Sequence, residues 1–85
     1  MVNYIVIFDK KSDENGRKVT ELYPGAYKHD TQIFFVRSGE VSEVIASKLG
    51  IKGEDRDTAG AVFKISSAYS GYTNKSLWEW LGMDE

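Results

Sequence analysis

Several groups of side chains in this 85-residue chain could do chemistry. Asp9 closes the apolar run Asn3-Tyr-Ile-Val-Ile-Phe-Asp9. A carboxylate in that place suits Mg²⁺, which keeps several waters and needs only one or two protein ligands per chain. Aspartate also ends strands and caps turns with no metal at all. His29, the single histidine, stands beside Asp30, a pairing that could support general-base catalysis. Neighbours on a strand point to opposite faces, so adjacency alone makes no dyad. No serine with matching nucleophile context accompanies them. Glu54, Asp55 and Asp57 cluster around Arg56. They lack the alternating ligands, fixed glycine and closing glutamate of a calcium loop, and read as a solvated loop. Lys10, Lys11, Arg17 and Lys18 flank the segment after the first apolar run and could contact phosphates, although Asp13 and Glu14 dilute their charge.

The aromatic group Tyr69, Tyr72, Trp78 and Trp80 is the most informative. Such a concentration closes a small core, makes a contact surface, or does both. Each helical residue turns about 100°, so Trp78 and Trp80 lie roughly 200° apart and cannot face the same core. Trp78 shares a face with Leu77 and Leu81 and is expected inside. Trp80 is then expected at a domain edge, where exposed tryptophan often anchors an interface. Tyr69, Tyr72 and Trp80 are therefore candidate partner-binding residues, joined by Arg17 and Lys18 as candidate phosphate contacts. Base stacking on the aromatics is the weaker reading, because their surroundings are not basic.

The bulk properties set the frame for these groups. A chain of this length is one domain burying only roughly 60–65% of its unfolded surface, so homodimerisation would supplement a small core. Aromatic residues make up 13%, and these bury the most area per residue. The net charge of −2 provides no bulk attraction for nucleic acid or anionic lipid, and is too balanced for a DNA mimic. There is no cysteine, which excludes a disulfide scaffold, a thiolate metal site and a thiol nucleophile. No run approaches about 18 apolar residues, and no secretory leader is evident at the start. A cytoplasmic protein without a membrane partner is expected.

The elements that must position these residues follow from the pattern. Residues 3–9 read as a central strand covered on both faces. Residues 10–18 read as a surface loop. Val19, Leu22 and Tyr23 suit one or two helical turns ended by Pro24-Gly25, or else 17–23 form a hairpin strand after Asn15-Gly16. A short strand is expected at 26–29, a turn at Asp30-Thr31, and a strong strand at 32–37. Ser38 is a plausible cap for a helix presenting Val41, Val44, Ile45 and Leu49, with Gly50 as its left-handed terminator and Ile51 folding back. Glu40 and Glu43 near its start and Lys48 near its end complement the helix dipole. A charged loop over 52–59 leads to a strand at 61–65. Thr73 or Asn74 then caps a terminal helix that ends at Gly82. With the first helix accepted, the order is βαββαβ plus a C-terminal helix. That is an α+β, ferredoxin-like antiparallel sheet with helices on one face.

The opening strand Tyr-Ile-Val-Ile-Phe-Asp9, the strand Thr31-Gln-Ile-Phe-Phe-Val-Arg37, the amphipathic helix, the acidic loop and the strand Ala61-Val-Phe-Lys-Ile65 carry a resemblance. Together they resemble small ferredoxin-like proteins related to the CRISPR adaptation nuclease subunit and to VapD-type toxins. The closest resemblance is to the uncharacterised SinR-family proteins, in which a small/aromatic/Gly turn and a Trp-containing helix likewise follow the last strand. The matching segments here are Ser67-Ala-Tyr-Ser-Gly-Tyr-Thr73 and Leu77-Trp-Glu-Trp-Leu81. The resemblance implies a homodimer. In the nuclease relatives it also implies a divalent metal bound between protomers by the Asp ending the first strand, a role that only Asp9 could inherit. Two departures stand out. Only Arg17 and Lys18 follow where those relatives often carry a basic helix, and a Trp helix replaces the usual extra strand.

The expected function is a small, non-catalytic, homodimeric binding module. It would engage a protein or nucleic-acid partner through its aromatic C-terminal segment, with no cofactor. The alternatives are a Mg²⁺-dependent nuclease using Asp9 at a dimer interface, and a phage- or plasmid-type inhibitor of a host protein.

Overall fold

The computed structural model describes residues 1–66 and 69–82; Ser67 and Ala68, which open the small/aromatic turn, lie outside the described residues. Strands β1 (Val2–Phe8), β2 (Tyr27–Lys28), β3 (Ile33–Ser38) and β4 (Gly60–Ile65) form one sheet in the order β2-β3-β1-β4. Every pairing is antiparallel. Helix α1 (Asp13–Leu22) and helix α2 (Ser42–Lys48) make the two crossovers, and α3 (Lys75–Gly82) closes the described chain. This is the expected α+β, ferredoxin-like arrangement.

β1 is apolar on both faces, and each face has its own cover. Tyr4, Val6 and Phe8 point to one side and pack with Val19, Tyr23, Phe34, Val36, Ile45 and Leu49, beneath α1 and α2. Ile5 points to the other side, where Phe35 meets Leu77, Trp80 and Leu81 of α3. The terminal helix therefore forms a third layer on the face opposite α1 and α2. The period-two alternation of β1 and β3 serves two cores rather than one.

Residues 13–22 are helix, not hairpin strand, and the helix starts well before Val19, inside the segment read as a loop. Ser12 is the cap: its Oγ accepts the Asn15 N–H at 3.2 Å, and Asp13 and Glu14 occupy the first turn, where the helix dipole favours acid. The inward face is Asn15, Val19 and Tyr23, while Leu22 is 47% exposed. Asn15 tolerates burial because its Nδ2 donates to Thr58 Oγ1 at 3.0 Å.

α2 also begins differently. Ser38 ends β3 instead of capping the helix, and its Oγ accepts the Glu40 N–H at 3.0 Å. Val41 occupies the cap position and makes no side-chain cap bond. Ile45, Ala46 and Leu49 face inward, whereas Val41 and Val44 are exposed. The far end matches expectation. Gly50 has φ +78°, its N–H donates to Ser47 O at 3.2 Å, and the Ile51 N–H donates to Ala46 O at 2.9 Å. Those two bonds make a Schellman motif, with Ile51 packed back on the core.

Candidate functional site

Two aromatics of the C-terminal segment, Tyr69 and Trp78, lie together on the α3 side of the sheet. Tyr69 stacks on Trp78, with ring centroids 5.9 Å apart and planes within 12°. A Cβ added to Gly71 would come 3.7 Å from the outer edge of the Trp78 ring, so the chain wraps closely around that indole. Beneath the stack, Ile5, Phe35 and Ile65 of the sheet and Leu77 and Leu81 of α3 line an apolar groove of about 230 Å³. Tyr72 projects fully into solvent.

The two tryptophans diverge as the helical wheel requires, but their assignments are reversed. Trp80 is buried with Leu77 and Leu81, while Trp78 is half-buried at the rim. Trp80 packs against Phe35 and Tyr27 at centroid distances of 6.2 and 6.4 Å. Its indole N–H donates to Gly25 O at 2.8 Å. The helix is rotated so that the indole with a polar partner at its far end goes inside, consistent with the need of a buried N–H for an acceptor. Of the expected interface aromatics, Tyr69 and Tyr72 are exposed and Trp80 is a core residue.

The basic candidates split. Lys18 is engaged within the fold: its Nζ donates to Leu49 O at 3.0 Å and to Asp57 Oδ1 at 3.2 Å, tying α1 to the end of α2 and to the charged loop. The α2 carbonyl it binds is among those a helix leaves unpaired. Arg17 is exposed and lines a shallow cleft with Lys28, Thr31 and Phe34. The structure therefore does not aim Arg17 and Lys18 as one pair.

Asp9 is exposed just past β1, and its backbone is held on both sides: its N–H donates to Ala59 O at 2.9 Å and its carbonyl accepts from Gln32 Nε2 at 3.1 Å. Among the described residues no group of three or more His, Asp or Glu side chains, Asp9 included, is placed to hold a metal ion. His29 and Asp30 do not form a dyad. Asp30 Oδ1 accepts from the Thr31 N–H and hydroxyl, which hold its carboxyl below the usual carboxylate range. The His29 ring instead meets Phe35 edge-on at 6.1 Å, and its buried Nδ1 has no hydrogen-bond partner. In the acidic loop, Asp57 pairs with Lys18 and the Arg56 guanidinium caps Gly53 O at 2.9 Å.

Three residues of this surface escaped the reading of the sequence. Ile5 and Ile65 floor the groove, and Phe63 on β4 is 54% exposed beside them on the same face of the sheet. The signal was available: Ala61, Phe63 and Ile65 alternate on one face, and the last strand of this topology lies at an edge.

No family model, curated protein or solved structure matches this chain.

Proposed function

We propose that this chain is a small binding module that holds an apolar side-chain anchor of a protein partner in the groove under the Tyr69–Trp78 stack. The observation that carries this reading is the groove itself, lined among the described residues by Ile5, Phe35, Ile65, Tyr69, Leu77, Trp78 and Leu81, none of them charged. At about 230 Å³ it falls below the roughly 300–1,000 Å³ of small-molecule pockets, and suits one anchoring side chain better than a metabolite. The exposed Tyr69 ring at its rim adds amphipathic contact area of the kind interfaces favour. A protein partner is preferred over nucleic acid because the chain carries a net charge of −2, and phosphate contacts need a cationic surface.

The test pans a displayed peptide library against the wild type, then measures the enriched peptides and labelled single-stranded DNA and RNA by fluorescence anisotropy. Peptides with an aromatic or aliphatic anchor should bind, and Tyr69→Ser should weaken them at least about tenfold, the equivalent of 1.4 kcal/mol. Equal binding by wild type and Tyr69→Ser would overturn the reading, as would oligonucleotides binding in the peptides' place.

A further inference from the structure

We infer that the protein partner enters as an extended strand added to the outer edge of β4, with an acidic residue set between two large apolar ones. This rests on the groove reading above, and names the conformation and chemistry of the segment that supplies the anchor. β4 lies at the end of the sheet order, and no described strand pairs with its outer side. Natural edge strands are blunted by brevity, proline, bulges, charge or a covering element. The opposite edge uses brevity: β2 is two residues long and carries an exposed Lys28. β4 runs six residues, Gly-Ala-Val-Phe-Lys-Ile, with no proline and one charge. Its register on β1 is unbroken from Asn3↔Ile65 to Phe8↔Gly60, so no bulge twists it away. On the α2 side an open groove of about 310 Å³, lined by Glu43, Ala46, Lys52 and Val62, leaves the strand uncovered.

The side chains of β4 select the segment. Residues opposite one another in a ladder share a face. Val62 and Lys64 pair with Val6 and Tyr4 and lie on the α2 side, while Phe63 and Ile65 pair with Ile5 and Asn3 on the α3 side. Ile65 also lines the groove under the Tyr69–Trp78 stack. A residue opposite Ile65 therefore stands at the β4 wall of that groove, and one opposite Phe63 covers an exposed ring. The residue between them faces Lys64 on the other side of the sheet, where a carboxylate complements the exposed ammonium. An apolar-acidic-apolar triplet meets all of these positions. It reads the same in both directions, so it suits parallel or antiparallel addition. A second copy of β4 fits worse. In the two-fold registers centred on Phe63, between Val62 and Phe63, or on Val62, the residue facing Ile65 is Ala61, Gly60 or Ala59 in turn, each too small to fill the groove. Main-chain bonds to the edge supply affinity for an extended segment, and the pockets beside alternate residues supply the choice among segments.

The probe is a fluorescein-labelled, end-capped peptide, Ser-Thr-Leu-Glu-Leu-Thr-Ser, titrated with the full chain and read by anisotropy. A set of its copies carries one N-methyl group each, moved along the backbone. The expected result is saturable binding that N-methylation weakens at least about tenfold at every second central amide and little at those between, because only alternate amides face β4. Lys64→Glu should weaken the probe about fivefold, and the Leu-Lys-Leu counterpart should recover that loss, which also shows the variant to be folded. A wild type that does not bind the probe overturns the proposal. So does an even response to N-methylation, a Lys64→Glu variant that treats the two peptides alike, or a wild-type dimer in light scattering that Phe63→Lys dissolves. Tyr69→Ser separates the edge from the groove. Affinity lost in that variant, with every N-methyl copy binding equally well to the wild type, removes the edge and leaves the groove. Full affinity kept in that variant, with the alternating amide pattern, leaves the edge and removes the groove.

Discussion

The Arg37 guanidinium lies over the Trp80 indole, 4.1 Å from the ring centroid, while its Nη2 donates to the Trp80 carbonyl at 2.6 Å. Its Nε also donates to Asn3 Oδ1 at 2.9 Å. One side chain on β3 thus reaches β1, stacks on the core residue of α3 and donates to a carbonyl in the last described turn of that helix. The indole N–H fixes the opposite end of the ring to Gly25. The third layer is held on the sheet by polar groups at both ends of a buried aromatic ring.

Arg37→Lys should destabilise the domain by about 1–2 kcal/mol. A lysine can keep the charge but cannot stack flat and donate to two acceptors at once. Urea unfolding followed by circular dichroism reads the difference. An unchanged midpoint would mean that α3 is held by apolar packing alone.

Trp78→Phe should leave a blue-shifted emission from buried Trp80, and Trp80→Phe a red-shifted one from half-exposed Trp78. The opposite spectra would restore the assignment made from the helical wheel. The wheel could show that the two indoles diverge because the angle between them is a local property of the helix. It could not show which one turns inward. That is set by Phe35 and Arg37 on β3 and by the Gly25 carbonyl, more than forty positions away by their contacts with Trp80.

Gly50→Ala should cost more than Gly25→Ala, although both glycines have positive φ, +78° and +91°. Each alanine incurs about 1–2 kcal/mol for the left-handed backbone. At Gly25 nothing lies within 4 Å of the added Cβ, but at Gly50 it meets the Asp57 carboxylate and comes 3.0 Å from Lys18 Nζ. Only Gly50→Ala should therefore disturb the Lys18–Asp57 pair. A measured cost for the two variants that agrees within error would show that the pair relaxes freely.

Removing the Asn15–Thr58 hydrogen bond should show positive coupling in a double-mutant cycle of Asn15→Ala and Thr58→Val, about 1 kcal/mol by urea unfolding. Additive single effects would mean that the bond contributes nothing net. The same bond explains why α1 was half-legible. Gly50 and Ile51 revealed the end of α2 because a Schellman motif is written in consecutive residues. The inward face of α1 begins with a polar residue whose partner is 43 positions away, so only Val19 and Tyr23 carried a periodic signal. Ser12 followed by Asp13 and Glu14 was the remaining local cue.

The pH dependence of stability should carry the signature of the Tyr23–Glu40 contact. The Tyr23 hydroxyl donates to Glu40 Oε1 at 2.9 Å, and Lys48 binds the other carboxylate oxygen. Lys48 first, and Tyr23 second, hold the Glu40 carboxyl below the usual carboxylate range. Burial first, and the hydrogen bond to Glu40 second, push the Tyr23 phenol well above its ordinary value of 10.0. The signs follow from linkage. Glu40 binds its proton less readily when folded, so its contribution is present above the unfolded carboxylate value near 4.5 and is lost as the pH falls through the lowered folded one. Tyr23 keeps its proton more readily when folded. Its contribution is complete below the unfolded phenol value near 10 and is lost as the pH rises towards the raised folded one. Tyr23→Phe should therefore be less stable than wild type by about 1 kcal/mol at neutral pH. The gap should shrink from about pH 10 upward, because phenylalanine has no proton to lose. Urea midpoints of the two proteins, measured in parallel from neutrality into the alkaline range, give the difference curve with the other tyrosines and lysines cancelled. A gap that stays constant through that range would show that the Tyr23 phenol does not remain protonated against Glu40 in the folded protein.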